Sequence, residues 1–376
     1  MSIPYGRQSI SPEDLEAVAN ALKSDFLTIG PEVEKFEKAI SEISSSKSTV
    51  VVSSGTAALH CAYFAADIKP GDEVITTPLT FVATAAMASM FGATIKFADV
   101  QPDTGNIDPE SVKSLITSKT KVIAGVDYAG HPVDIDELKE IAKKAGALLL
   151  EDAAHSIGST YKGRPIGKDA DLTTFSFFPT KNLTTAEGGA ISSHDTLLGQ
   201  RSRQFKMHGL VRDVERMRYS DIGAWHQEVH HFGLNYRLPD VLCALGSSQL
   251  ARIEAFKLAR SKIFEKYSAE LGDLNWITLP AKRNYVDPMW HLYPIRVPHA
   301  SRRPLFDYLR SNGVLVQVNY VPVYWHPVYE DLGYKKGISP IAEDYYLSEI
   351  SLPMYADLDE AQQNKVIELL RNYKKL

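Results

Sequence analysis

The chain has 376 residues, 44 % of them hydrophobic and 23 % charged, with 41 basic against 46 acidic side chains and a net charge of −5. That length suggests two or three structural units with a sizeable core, and the composition excludes a disordered, collagen-like or coiled-coil chain. A balance so close to neutral needs no basic face, which argues against nucleic acid as a main partner.

In chain order, Ser11-Pro12-Glu13-Asp14 supplies a cap, a proline at the first helical position and acids in the first turn. Leu15, Val18, Ala19 and Leu22 follow at helical spacing. Val50–Ser53 reads as a buried strand, and Ser54-Gly55-Thr56 as the turn into a helix. Glu73–Thr76 is a strand, Val82–Met90 a helix and Thr94–Phe97 a strand. Asp108-Pro109 caps a helix carrying Val112, Leu115 and Ile116, and Lys121–Val126 is the next strand. Asp134 with Glu137 predicts a capping box for a helix whose buried side is Ile135, Leu138, Ala142 and Ala145. Ala147–Leu150 is a strand ending in Glu151-Asp152. All-apolar strands between amphipathic helices indicate a parallel sheet covered on both faces, with ligands at the strands' C-terminal ends. The loops Ser53–Thr56, Thr77–Phe81, Tyr128–His131 and Asp152–His155 are therefore candidate site loops.

Further on, Asp171–Phe178 and Gly189–Ser192 read as strands, Leu198–Met207 as a helix and residues 210–235 as a long functional loop. Val241–Phe256 is a predicted helix, Leu292–Val297 a strand, the residues after Arg303 a helix and Val314–Val318 a strand. No apolar run approaches the ~20 residues of a membrane span, and Met1–Tyr5 does not look like a signal peptide. A soluble cytoplasmic protein is the expectation, with Cys61 and Cys243 as buried reduced thiols.

Several residues could carry chemistry. A carboxylate directly after a buried strand is costly unless paired, so Asp152 is either a cap or a counter-ion for a cationic ligand. Lys181 lies beside Phe177, Phe178 and Pro179, where desolvation would lower its pKa and free its amine. The small residues of Thr184–Gly189 let backbone approach a ligand. Backbone N–H groups and hydroxyls at Ser54-Gly55-Thr56 could cradle a phosphate, without the spacing of a dinucleotide or nucleotide loop. In His226-Gln227-Glu228-Val229-His230 the Glu is one place late for a zinc-protease helix. No metal is expected, and His226, His230 and His231 read as loop residues near a substrate or an interface.

Taken together, several segments resemble one family: the pyridoxal-phosphate (PLP) sugar aminotransferases related to the DegT and StrS proteins. They are Ser53–Leu59, Thr77–Phe81, Glu151–His155, Ser176–Asn182, Glu187–Gly189 and Gly233–Arg237. The resemblance covers essentially the whole chain. It implies the aspartate-aminotransferase-like α/β fold (fold type I): a large PLP-binding part with a mainly parallel sheet and an N-terminal arm over residues 1–250, and a smaller C-terminal α/β domain over 251–376. By that resemblance Lys181 is the Schiff-base lysine and proton shuttle, Asp152 pairs with the pyridinium nitrogen, and His155 sits near the phenolic oxygen. Phe81 stacks on the ring, and Ser54, Gly55, Thr56 and Ser176 hold the phosphate. Asn235 reaches the phosphate in the neighbouring subunit, which implies a homodimer with shared sites. Tyr5, Asp25, Phe26, Leu27, Thr28, Gln317, Val318, Asn319 and Tyr320 line the sugar-nucleotide side. Trp290, His291 and Tyr293 are expected to pack the core.

Within the family, Val126–Gly130, Thr184–Gly189, Gln317–Pro322 and Ala342–Tyr346 resemble the branch that moves an amino group from L-glutamate to C4 of a UDP-linked 4-keto-6-deoxy N-acetylhexosamine, in a pathway of the pseudaminic acid type. That branch is expected to carry His where this chain has Asn319. A dTDP-linked acceptor, a cyclitol ketone aminated from glutamine, and a PLP-binding regulator without turnover are the alternatives. A dehydratase of the same fold would have His in place of Lys181.

Overall fold

The computed structural model describes residues 2–373. The first half alternates helix and strand as α1 (Pro12–Leu22), α2 (Pro31–Ile43), β1 (Ser48–Val52), α3 (Gly55–Ala65), β2 (Glu73–Thr76), α4 (Ala83–Met90), β3 (Thr94–Phe97), α5 (Pro109–Leu115), β4 (Thr120–Val126), α6 (Ile135–Ala145) and β5 (Leu148–Asp152). Short strands β6 (Thr160–Tyr161) and β7 (Arg164–Pro165) lead to β8 (Leu172–Ser176) and β9 (Gly189–Ser193). Then come α7 (Thr196–Phe205), the short hairpin strands β10 (Leu210–Val211) and β11 (Glu228–Val229), α8 (Asp240–Ala251) and α9 (Ile253–Leu271). The chain finishes with β12 (Val286–Asp287), β13 (Tyr293–Arg296), α10 (His299–Ser311), α11 (Pro327–Asp331), α12 (Pro340–Ser348), β14 (Glu349–Leu352) and α13 (Glu360–Asn372).

The main sheet has the order β1-β9-β8-β5-β4-β2-β3. β3, β2, β4, β5 and β8 run parallel, and β9 is antiparallel to both its neighbours. β4 and β5, in the middle of the sheet, are buried along nearly their whole length, as the apolar runs Val122–Val126 and Leu148–Leu150 require. One apolar cluster joins α2, α6 and α8 to one face, and a second joins α3, α4 and α7 to the other. A third gathers α9, α10, α13, β13 and β14 around Trp290, which stacks on Phe264 at 3.8 Å between centroids, and draws in Ile3. The outer edge of β3 is closed by a side chain: Tyr334 Oη accepts from Ile95 N–H at 3.0 Å and donates to its carbonyl at 2.7 Å.

Four local expectations change. α1 turns Leu15 and Leu22 outward (65 % and 58 % exposed) and buries Asp14 instead. The reason is polar: Asp14 is held by Ser248 Oγ, Gln249 Nε2 and Arg252 of the α8–α9 segment. Asp134 makes no capping bond to α6; its carboxylate is taken by Gln101 Nε2 and Tyr285 Oη. The helix expected over Val241–Phe256 breaks at Arg252 into α8 and α9. Val314–Val318 is not a strand, and makes only single bridges, Ile3 to Val314 and Gln317 to Ser351. Cys61 and Cys243 are buried free thiols. No helix among the described residues is long and apolar enough to cross a membrane.

Candidate active site

A cavity of about 700 Å³ opens where the parallel strands end. β1 delivers Ser54, whose Oγ caps α3 by accepting from Ala57 N–H at 3.0 Å. The helix N-terminus then lies directly on the end of β8: a Cβ on Gly55 would sit 2.7 Å from Ser176 Cβ and 2.8 Å from its Oγ. Free N–H groups of a helix start, two serine hydroxyls and Thr56 make a cradle of the kind anions occupy. On the next strand, β5 ends in Asp152. Its Oδ2 accepts from Thr84 Oγ1 at 2.7 Å and its Oδ1 from Ala154 N–H at 3.2 Å. Burial raises the Asp152 pKa, against the pull of these bonds and of Lys181.

Lys181 stands on the turn between β8 and β9, with its N–H bonded to the Phe178 carbonyl at 2.8 Å. Burial pushes its amine down to about 8, with the Asp152 charge opposing. The following residue pins that turn to the floor. Asn182 Nδ2 donates to the carbonyls of His155 at 3.0 Å and Met289 at 2.8 Å. The Tyr128–His131 turn packs against the same strand end: a Cβ on Gly130, at φ +90°, would meet the Met289 carbonyl oxygen at 2.2 Å.

His155 is buried with its Nε2 3.3 Å from Tyr320 Oη, and its ring centroid 4.2 Å from that of His291. The Nδ1 atoms of both imidazoles are buried without a partner. Burial, and then the nearby Lys181 charge, hold His155 well below the usual histidine range; burial and His155 do the same for His291. Above them Phe81 leaves 57 % of its surface open, unusual for a large apolar ring beside a buried acid.

The cavity thus brings together Ser54, Gly55, Thr56, Phe81, Asp152, His155, Ser176 and Lys181 on one side. Tyr5, Gln317, Asn319 and Tyr320 face it from the other. Val318 does not line it. Asp25, Phe26, Leu27 and Thr28 form an exposed turn after α1, outside the cavity, and Asn235 is exposed on the segment that follows the β10–β11 hairpin. In that hairpin His226 and His230 both face Glu228. The Glu228 carboxylate is lowered to about 2, first by the backbone N–H of Arg218 and then by His230. Trp290 and Tyr293 are core residues as expected, whereas His291, also read as packing, lines the cavity. Thr84, Glu187 and Asn182 were not singled out from the sequence. Asn182 and Glu187 lie within the segments Ser176–Asn182 and Glu187–Gly189 that carry the resemblance but were given no role of their own, and Thr84 stands four places after Thr80 on the helix that follows a site loop, with the two hydroxyls 3.2 Å apart. Among the described residues no arginine lines the cavity.

A family model of the DegT/DnrJ/EryC1/StrS aminotransferases matches residues 8–371. Among curated relatives, the spore coat polysaccharide biosynthesis protein SpsC of Bacillus subtilis is 36 % identical over 98 % of this chain and 96 % of its own length. The UDP-4-amino-4,6-dideoxy-N-acetyl-beta-L-altrosamine transaminase of Campylobacter jejuni is 37 % identical over 95 % of this chain and 93 % of its own. Of solved structures, Helicobacter pylori PseC, an aminotransferase involved in the biosynthesis of pseudoaminic acid, superposes with a TM-score of 0.92 at 32 % identity, covering 99 % of both chains. Spr1654 of Streptococcus pneumoniae, solved in its PLP form, gives 0.91 at 28 % identity over 98 % of this chain and 97 % of that one.

Proposed function

The chain belongs to the DegT/DnrJ/EryC1/StrS aminotransferase family, and from that premise we propose that it transfers an amino group from L-glutamate to C4 of a UDP-linked 4-keto-6-deoxy N-acetylhexosamine. The reaction is of the pseudaminic acid type. The observation that carries this reading is the convergence of Lys181 and Asp152 in one cavity above the α3 N-terminus.

The cofactor is pyridoxal phosphate, and the residues fit it. The Ser54–Thr56 and Ser176 cradle would take its phosphate. Asp152 would hold the ring nitrogen's proton, the open face of Phe81 would cover the ring, and His155, a neutral imidazole with a partnerless Nδ1, would sit by its phenolic oxygen. When bound, PLP supplies an electron sink and an aldehyde that can carry an amino group between donor and acceptor. The protein's part is positional and acid–base. Lys181 Nζ, poised near neutrality, takes a proton from the amino-bearing carbon of glutamate and returns one to the acceptor carbon. Asp152, buried and bonded by Thr84, keeps its position without rearranging. Tyr5, Gln317, Asn319 and Tyr320 would receive the sugar nucleotide.

Two copies would build each site. The partner's Asn235 would complete the phosphate cradle, and the exposed Asp25–Thr28 turn would reach the partner's sugar side. Support comes from the open apolar surface of α1 and from Trp225 and Phe232 (81 % and 98 % exposed). We place the division between two units at residue 250, with Ile3 of the N-terminal arm packed into the second, and the protein in the cytoplasm.

The test is incubation with glutamate and a panel of UDP- and dTDP-linked 4-keto sugars, with product stereochemistry read by NMR. The expected product is a 4-amino UDP-sugar, with 2-oxoglutarate formed in equal amount. Glutamate oxidised once per bound cofactor with no sugar aminated would refute the acceptor assignment and favour a regulatory role. Lys181→Ala is expected to abolish turnover and to remove the visible band that depends on the Lys181 amine.

A further inference from the structure

Beneath the sugar-facing wall lies an acid that the reaction does not use. Glu349 opens β14, opposite Arg296 of β13, and is 0 % exposed. One carboxylate oxygen, Oε2, accepts from Asn319 N–H at 2.7 Å, and Ser351 Oγ bonds the other. Asn319 Nδ2 donates in turn to Ser351 Oγ at 3.0 Å and to Tyr5 Oη at 3.1 Å. Tyr128 Oη donates to the Asn319 carbonyl at 2.6 Å. Asn319 is therefore gripped at its backbone N–H, its carbonyl and its side-chain amide, and the first and last of these grips lead to Glu349 directly or through Ser351. The nearest arginines are engaged elsewhere: Arg296 stacks on Tyr345 and Arg302 on Tyr346, each at 4.9 Å. A carboxyl group buried without an ion pair is costly, so its bonds are what hold it and what it holds.

We propose that Glu349 is a positioning residue for the acceptor substrate: it fixes the 317–320 segment and, through Asn319, Tyr5. Its own bonds go to Asn319 and Ser351 rather than to Lys181 or Asp152, and the Tyr320 hydroxyl, 3.3 Å from His155 Nε2, links the segment to that side. This rests on the reading that these residues face the sugar nucleotide. Charge sharpens it. Burial pushes Glu349 up to about 8 against the bonds from Ser351 and Asn319 and the pull of Arg302. The groups facing it are Arg302 on α10, Arg296 on β13, Tyr345 on α12, and Tyr5, Tyr128 and Tyr320 along the wall. Raising the pH through 8 puts a negative charge under the surface that is to receive an anionic nucleotide.

The experiment compares Glu349→Ala and Glu349→Gln with the parent holoenzyme. Expected for Glu349→Ala are a KM for the sugar nucleotide raised about tenfold, an unchanged glutamate half-reaction and cofactor absorption, and faster amide hydrogen exchange across 317–320. Glutamine keeps an acceptor for Asn319 N–H and turns its amide N–H toward Ser351 Oγ, the hydroxyl that donates to the acid in the parent. It should bring KM back to within about twofold and lack the rise in KM above pH 8 that is expected of the parent. A sugar KM unchanged in Glu349→Ala, an equal loss in the glutamate half-reaction, or a glutamine variant as damaged as alanine would each overturn the proposal. If the parent aminates no sugar, the acceptor reading fails by itself. The exchange rate at 317–320 then still decides the positioning role: slow exchange in Glu349→Ala overturns it, and fast exchange reversed by glutamine supports it. Should Glu349→Ala not fold, the pH profile of Glu349→Gln carries the decision in the same way.

Discussion

Cofactor-free protein allows Lys181 to be titrated on its own. With the amine at about 8, close to a tenth of it is unprotonated at pH 7. An ordinary lysine near 10.4 has about 0.04 % free at that pH, a difference of some 200-fold. Brief exposure to acetic anhydride over a range of pH, with the peptide carrying Lys181 quantified by mass spectrometry, should give a midpoint near 8. Surface lysines of the same sample serve as the internal reference. The sign of the Asp152 contribution can be tested in the same way. Its carboxylate favours the protonated amine, so Asp152→Asn should move the midpoint below 8, never above. A midpoint that coincides with the surface lysines, or one that rises in Asp152→Asn, would refute the claim that desolvation readies this amine for proton transfer.

Three further outcomes follow from the geometry. Gly55→Ala forces a methyl to within 2.8 Å of Ser176, where ordinary contact begins at 3.4 Å; overpacking of this kind costs about 1–3 kcal/mol, so PLP should bind roughly 5- to 150-fold more weakly by equilibrium dialysis. Asn182→Ala leaves the His155 and Met289 carbonyls buried without their donor, and urea titration should show a loss of about 2–4 kcal/mol. Glu349, raised from 4.5 to about 8, keeps its proton in the folded chain after the unfolded chain has released it. Its contribution to stability is complete below pH 4.5 and is lost as the pH rises through 8, so the urea midpoint should fall between pH 5 and 8 more steeply in the parent than in Glu349→Gln.

How much of this could be read from the chain follows the distance over which each feature acts. The strands β1, β4 and β5 declare themselves by their apolar runs Val50–Val52, Val122–Val126 and Leu148–Leu150, which a covered sheet requires. The carboxylate closing β5 stands out because apolar residues precede it. By contrast, Thr84 matters through an acid 68 positions away, and Asn182 through carbonyls 27 and 107 positions away. No local period reports such pairs. α1 shows the same limit. Its apolar spacing pointed Leu15 and Leu22 inward, but donors more than 230 residues downstream claim Asp14 and set the rotation of the helix. The roles of Lys181 and Asp152 gained weight from resemblance, whereas the Glu349 network has no signature short of the folded chain.

The hydroxyl of Tyr334 on the flank of β3 has a consequence for how this molecule meets others. A bare outermost strand invites any passing extended segment to zip onto it. Here Ile95, whose N–H and carbonyl face outward, already has both engaged by one phenol. Zipping along β3 at Ile95 is thereby blocked, and the apolar helical and hairpin surfaces are left as the open ones for the pairing of copies proposed above, where a fixed contact would form and then stop.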